Sequence, residues 1–347
     1  MLFEVTKIDR QVYENELKDF LPNQMIDIHT HVWPDKLKIH SPEISSRTVT
    51  WPALVAKENP VEDLIETYKL MFPGKRITPL MFSLIKPEED FETLNNYVSK
   101  SSQQHDFPSL LYAKPEWSGA EVEKRIVEGR FLGVKVYLNL SPAYIPTSEI
   151  RIFDFLPHHQ LEVLHQHKRI IMLHIPRNNR LRDPVNLAQI KEIGKNYPGA
   201  RVIIAHIGRA YCPEDVGNAF EVLSDTENLL FDFAANCNDF VFEQLIKAVG
   251  PKRILFGSDL PILRMRMRRI CELGEYVNLV PPGMYGDVSG DKNMREVSEK
   301  EADELTFFMY EEILAFKRAA EKTSLTKNDI KDIFYKNAKT LIDSVKK

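Results

Sequence analysis

Eight short apolar runs rich in β-branched residues recur along the chain, with helix-like stretches between them. The runs lie at 25–29, 77–82, 109–113, 132–138, 169–174, 201–206, 228–233 and 253–258. The stretches between include Val61–Met71, Glu88–Ser99, Ala120–Glu128, Gln160–His167, Val185–Asn196 and Phe240–Val249. Strands that alternate with helices run parallel, because returning the chain to the same end of a sheet takes a crossover, usually helical. Eight such units predict a (β/α)8 TIM barrel. An open doubly wound sheet is the alternative, but no Gly-rich G-x-G-x-x-G turn follows the first strand. At 347 residues the chain suits one barrel with insertions, and no shift in composition splits 1–347 into more than one domain.

Two departures from an even barrel stand out. Residues 32–75, with Trp33-Pro34 and Trp51-Pro52, predict a long loop after strand one. From 260 onward the chain predicts a helical C-terminal extension: an Arg/Met-rich helix at Leu263–Arg269, a Gly/Pro-rich loop at Pro281–Asp291, then two terminal helices. Long βα loops sit at the C-terminal face of a barrel, where active sites are built.

Composition narrows the partners. With 43% hydrophobic and 28% charged residues and a net charge of −4, the chain lacks the basic excess of a nucleic-acid binder. The three cysteines, Cys212, Cys237 and Cys271, are odd in number and widely spaced, which implies no disulfide framework. The opening residues carry no signal-peptide core, and no segment approaches the roughly 20 apolar residues that span a bilayer. A cytoplasmic protein acting on a small molecule, with no nucleic acid and no membrane, is expected.

The chemistry gathers where strands run out. Met25-Ile26-Asp27-Ile28-His29-Thr30-His31 ends in two histidines one residue apart, which on a strand share a face. Strand five ends in His174, strand six in His206 and strand eight in Asp259. One strand-end histidine is most simply a core residue; four matched strand ends converge on one mouth. Neutral imidazoles and a carboxylate make a competent shell for Zn²⁺, with a position left for water. The other histidines fit no such set: His165 and His167 sit on a helix that separates them, His158 and His159 are adjacent and diverge, and His40 and His105 fall in polar loops.

These residues, with Asp27-Ile28-His29-Thr30-His31, Leu173-His174, Ala205-His206-Ile207-Gly208 and Gly257-Ser258-Asp259-Leu260-Pro261 in that order, resemble the amidohydrolase superfamily. The amidohydrolase-related (amidohydrolase 2) branch is the most similar; Gly133–Tyr137 resembles its fourth strand and Ile333–Leu341 its closing helix. The resemblance implies one divalent ion, Zn²⁺ first and Mn²⁺ as the alternative, on His29, His31, His174 and Asp259. It implies His206 as general acid/base or polarising donor, with Asp259 doubling as proton acceptor. The implied activity is a metal-dependent hydrolase that turns a metal-activated water on a small, carboxylate-bearing ester, lactone or amide. It leaves room for a homodimer.

Lys135 is the open point: alternation places it with Gly133 and Tyr137 on the interior face. In binuclear relatives a lysine there is carboxylated and bridges two metals; an unmodified lysine with one metal is the reading adopted. Arg177 and Arg209 each follow a strand-end histidine by three residues, and guanidinium groups at that mouth suit a substrate carboxylate; an ordinary rim ion pair is the alternative. Arg264 could also approach the site.

Neighbouring families fit less well. A PHP-type phosphoesterase would place a histidine after Asp259, and a TatD-like nuclease would carry a glutamate where Lys135 stands. Two other readings remain: a non-oxidative decarboxylase similar to aminocarboxymuconate-semialdehyde decarboxylase, and a catalytically idle barrel that binds a ligand.

Overall fold

The structure, a computed structural model, describes residues 2–39, 47 and 51–345. His40 lies outside them. Eight strands follow one another in chain order: β1 (Gln24–His31), β2 (Arg76–Phe82), β3 (Leu111–Tyr112), β4 (Gly133–Val136), β5 (Ile170–Leu173), β6 (Arg201–Ile204), β7 (Leu229–Asp232) and β8 (Ile254–Leu255). β3 to β8 form one six-stranded sheet and β1 and β2 a second, and every pairing among them is parallel. The sheets meet at two seams. Leu110 N–H donates to Met81 O at 2.9 Å on one side, and Ile28 N–H donates to Phe256 O at 3.0 Å on the other.

Each helix predicted between the eight strands is found, and capping chemistry sets several of the starts. Asp90, Ser118, Asp183 and Asn238 accept backbone N–H bonds at the first turns of helices Phe91–His105, Gly119–Gly129, Pro184–Asn196 and Asp239–Val249. Helix Val61–Met71 stands within the long segment between β1 and β2. His105, expected in a loop, is the last residue of its helix, because the Asp90 cap starts the element late and Asp106, at φ 52°, ends it.

The two sides of the sheet carry separate cores. Val134, Ile171, Leu173, Val202 and Ile204 pack with Leu64, Val98, Ile126, Leu164 and Ile190 of the helices. Ile26, Ile28, Leu80, Phe82, Ile170, Met172 and Ile203 form a second cluster, joined by Ala338, Leu341 and Ile342 of helix Asn337–Val345. Such continuous apolar runs are what strands buried on both faces require.

The segment after β8 departs from the expected helix. Leu263–Arg269 does not form a helix; it enters strand β9 (Arg266–Glu272), which turns through Leu273-Gly274 into β10 (Glu275–Val280). With β11 (Met294–Glu296) and β12 (Thr306–Phe307) they form a four-stranded sheet in the order β11-β10-β9-β12. The reason is the period of the run: Arg264-Met265-Arg266-Met267-Arg268 alternates residue types with a repeat of two rather than 3.6, and Met265 and Met267 are fully buried. Leu273 (φ 53°) and Gly274 (φ 78°) are both left-handed, as a tight two-residue hairpin demands. Helices Phe308–Lys322 and Asn337–Val345 supply the two terminal helices.

The cysteines also depart from expectation: Cys212 and Cys271 form a disulfide with Cα atoms 5.8 Å apart, leaving Cys237 free. Spacing along the chain could not show it, because folding brings the β6 loop against β9 across 59 residues. No helix among the described residues is long and apolar enough to cross a membrane.

Candidate metal centre

His29 and His31 occupy the end of β1, where the register against β2 shifts between Asp27 and Thr30. Ile28 stays with the inner cluster while both imidazoles also approach Phe82 of that cluster, at 5.2 and 4.7 Å between ring centroids. The two imidazoles lie 5.5 Å apart, so they share a face as the alternation required. Gly257 lets the end of β8 come close: a Cβ there would sit 2.9 Å from Cβ of His29. Asp259 then points back, its Oδ1 3.4 Å from His29 Nε2 and 3.1 Å from His31 Nε2.

His206 opens a left-handed turn after β6, with φ of 56°, 51°, 61° and 60° at His206, Ile207, Gly208 and Arg209. Asp259 is also left-handed, at φ 58°. Non-glycine residues hold such conformations only where the surroundings over-determine them. Here a hydrogen bond fixes each: His206 N–H to Asp232 Oδ1 at 2.8 Å, and Asp259 N–H to His29 O at 2.8 Å. The ring of His206 lies 4.8 Å from His29 and 5.3 Å from His174.

Among the described residues, His29, His206 and Asp259 are the trio whose candidate ligand atoms all fall within 4.8 Å of one another. His31 touches this trio through Asp259 and His174 borders it through His206. The structure brings the five strand-end residues near one another, and the tightest grouping contains the histidine set aside for proton transfer. Two buried imidazole nitrogens, His29 Nε2 and His174 Nδ1, have no hydrogen-bond partner. Orphaned nitrogens beside a carboxylate fit a bound cation, since a buried polar atom left unpaired is costly.

Electrostatics favour the same occupancy. Burial pushes His29 and His174 well below the ordinary imidazole value and His206 down to about 4, so all three stay neutral, the form that ligates metal. Burial opposes ionisation of Asp259, yet the neighbouring His206, His31 and His29 hold its carboxyl below the ordinary value. Lys135 is 1% exposed, lies 5.0 Å from the Phe82 ring, and is pushed down to about 8 by burial.

The arginines divide. Arg177 donates to Ile150 O at 3.2 Å and Glu149 O at 3.1 Å, holding the 149–150 segment, and no contact brings it to the cluster among the described residues. Its carboxylate neighbour is Asp183, 4.0 Å from Nε. Arg209 donates from one nitrogen, Nη1, to Pro176 O and Arg177 O, and its charge is felt at His174 and Tyr137. Arg264 is one residue removed: it bonds Asn59, whose amide donates to His31 O at 2.6 Å.

Asp232 is the residue that reading the sequence missed. It closes β7 after Leu229-Leu230-Phe231, the same apolar run ending in a polar group that marked the other strands. One oxygen lies 3.0 Å from His29 Nδ1; the other accepts from the backbone N–H of His206 and of Ala234. Asp27 of the histidine motif serves the scaffold, accepting from Ser258 N–H at 2.9 Å and Tyr68 O–H at 2.8 Å.

The amidohydrolase family profile matches residues 26–343, a span that contains every residue of this cluster. The chain belongs to the amidohydrolase 2 family. No curated relative matches this amidohydrolase by sequence. Solved structures resemble it in fold, and they imply a TIM-barrel architecture. An amidohydrolase from Burkholderia multivorans with bound zinc is 10% identical, with 92% of this chain and 99% of that one covered at a TM-score of 0.56. A putative 2-pyrone-4,6-dicarboxylic acid hydrolase from Pseudomonas putida is 14% identical, covering 93% and 98% at 0.52. A dihydroxybenzoic acid decarboxylase from Polaromonas sp. JS666 with bound manganese is 15% identical, covering 93% and 97% at 0.51.

Proposed function

We propose that this amidohydrolase is a metal-dependent hydrolase acting on a small, carboxylate-bearing ester, lactone or amide. One observation carries the reading: two buried imidazole nitrogens without a hydrogen bond, His29 Nε2 and His174 Nδ1, belong to a cluster of three neutral histidines and an ionised Asp259. In this reading His29, His31, His174 and Asp259 hold one divalent ion, Zn²⁺ or in its place Mn²⁺, and Lys135 stays unmodified. Such an ion lowers the pKa of a water from 15.7 to about 7 and polarises a carbonyl.

The remaining work falls to the chain's own groups. His206 Nδ1 is fixed 2.9 Å from Ala234 O, which leaves Nε2 to take or give a proton at the reacting centre. Asp259 accepts a proton from the attacking water. Arg209 orients the substrate carboxylate. Residues 1–347 act as one domain whose eight strands close into a barrel around the cluster.

Decarboxylation is the second reading. It is supported by the likeness to the manganese-containing dihydroxybenzoic acid decarboxylase, because the same cation and arginine would hold a carboxylate for C–C cleavage. Purified protein, with and without chelator, is assayed on a panel of esters, lactones, amides and aromatic acids. Chelator-sensitive hydrolysis supports the first reading. Chelator-sensitive release of CO₂ supports the second. Bound metal with neither activity points to a ligand-binding barrel.

A further inference from the structure

On the side of the cluster bordered by His174 and His206, three tyrosines converge from separate parts of the chain. Tyr137 follows β4, its ring 4.4 Å from His174. Tyr211 follows the left-handed turn after β6, its ring 6.4 Å from His206. Tyr276 comes from β10, in the sheet added after β8, and meets Tyr211 edge-on at 5.1 Å. Among the described residues, none of the three phenol hydroxyls is hydrogen-bonded to a protein group, although Tyr276 is only 6% exposed. Arg209 spends Nη1 on carbonyls and leaves Nε and Nη2 without a protein acceptor.

The wall is built in advance. Arg180 and Arg269 lie over Tyr211 at 5.5 and 5.0 Å and over Tyr276 at 5.2 and 4.4 Å. Arg180 is neutralised by Asp215 at 2.6 Å and Glu275 at 3.1 Å, and Arg269 is tied to Asn278 at 2.8 Å. The disulfide joins Cys212, next to Tyr211, to β9. Burial pushes Tyr137 up to about 12 and Tyr211 higher, so both hydroxyls remain donors at neutral pH.

We propose that Tyr137, Tyr211 and Tyr276, with the free edge of Arg209, form the anion subsite that takes the substrate carboxylate, and that Tyr276 sets a preference for molecules carrying an anion there. The inference rests on the substrate-binding reading of the cluster: the group to be cleaved lies at the reacting centre, and the carboxylate that Arg209 orients also receives phenol hydrogen bonds. Preorganised donors around an anion cost little ordering on binding. The tyrosines act on recognition, and no bond is made or broken at them.

The test compares benzoate with isophthalate, which adds one carboxylate to the same ring, by calorimetric titration of the metal-loaded wild type, Y276F, Y211F and Y137F. Wild type should bind isophthalate at least about tenfold more tightly than benzoate. Y276F and Y211F should each shrink that ratio by about tenfold, as for loss of a hydrogen bond to a charged group. Y137F, a third removal of one hydroxyl, should lower the ratio in the same direction. A wild-type ratio near one, or a ratio unchanged in all three variants, overturns the subsite. Metal content and chelator-sensitive turnover are measured separately, so failure of the catalytic reading shows there and failure of the subsite shows in the ratio.

Discussion

Asp232 holds His29 by its far nitrogen: the carboxylate oxygen lies 3.0 Å from Nδ1, and both side chains are fully buried. The contact leaves Nε2 of His29 turned toward Asp259. A carboxylate behind a ligating imidazole fixes its tautomer and raises its basicity. Asp232→Asn should keep an acceptor for the His206 N–H while setting an amide N–H₂ against the His29 Nδ1–H. Metal affinity is expected to fall about 10- to 100-fold. Competition with a chromophoric chelator measures it; unchanged affinity would show that His29 needs no such support.

His206 and His174 exchange roles between the strand-end pattern and the tightest geometric grouping, and one pair of variants separates them. His174→Asn is expected to purify with little metal. His206→Asn should keep close to one equivalent yet lose about 10²- to 10⁴-fold in turnover, the range for a positioned acid or base. Elemental analysis beside the rate decides the matter. A metal-free His206→Asn protein would make His206 a ligand.

The disulfide predicts a thiol count and a stability loss. Denatured without reductant, the chain should expose one reactive thiol, Cys237, and three after reduction. Closing a loop across 59 residues contributes about 2–4 kcal/mol in the chain-entropy account. Cys271→Ser should lower the urea midpoint accordingly. Three thiols titrating before reduction would remove the bond from the picture.

Asp9 and Arg266 give a pH dependence far from the cluster. Asp9 is fully buried; desolvation alone would raise its pKa, but Arg266 at 2.6 and 3.0 Å and the Thr306 hydroxyl at 2.6 Å hold it below the ordinary 3.8. A carboxyl depressed in the folded state adds stability that is fully present above its unfolded value and lost as pH falls through its folded one. Asp9→Asn leaves Arg266 partly unpaired and should cost about 3 kcal/mol at neutral pH. The gap between variant and wild type should narrow as pH drops below 3.8. Urea titrations across that range report it, and a gap independent of pH would rule out this origin.

Reading the chain located every strand of the parallel sheets, because strands buried on both faces announce themselves as apolar runs. It singled out His29, His31, His174, His206 and Asp259, which the structure brings near one another, because each closes such a run. Asp232 closes one too, yet a lone aspartate after Phe231 offered no ligand spacing to single it out. The Arg/Met segment was legible in principle: its alternation has a period of two, which suits a strand. Tyr211, Tyr276 and the Cys212–Cys271 pair were beyond reach, since only the hairpin's return over the β6 loop brings them together. Arg177 shows the limit of offsets: it stands three residues after His174 just as Arg209 follows His206, and it bonds carbonyls at 149 and 150 instead.

Ala338, Leu341 and Ile342 share a cluster with Ile26 and Ile28 of β1 and Leu255 of β8. On a ribosome, β1 emerges early and waits for that helix through the synthesis of nearly all the other strands. Until residue 342 has left the exit tunnel, one end of the strand core faces water, and a partly made chain presents unpaired strand edges to its neighbours. The strand core is thus closed only by a helix made after every strand it covers, and its burden on chaperones should track how fast the ribosome crosses the segment from 260 onward.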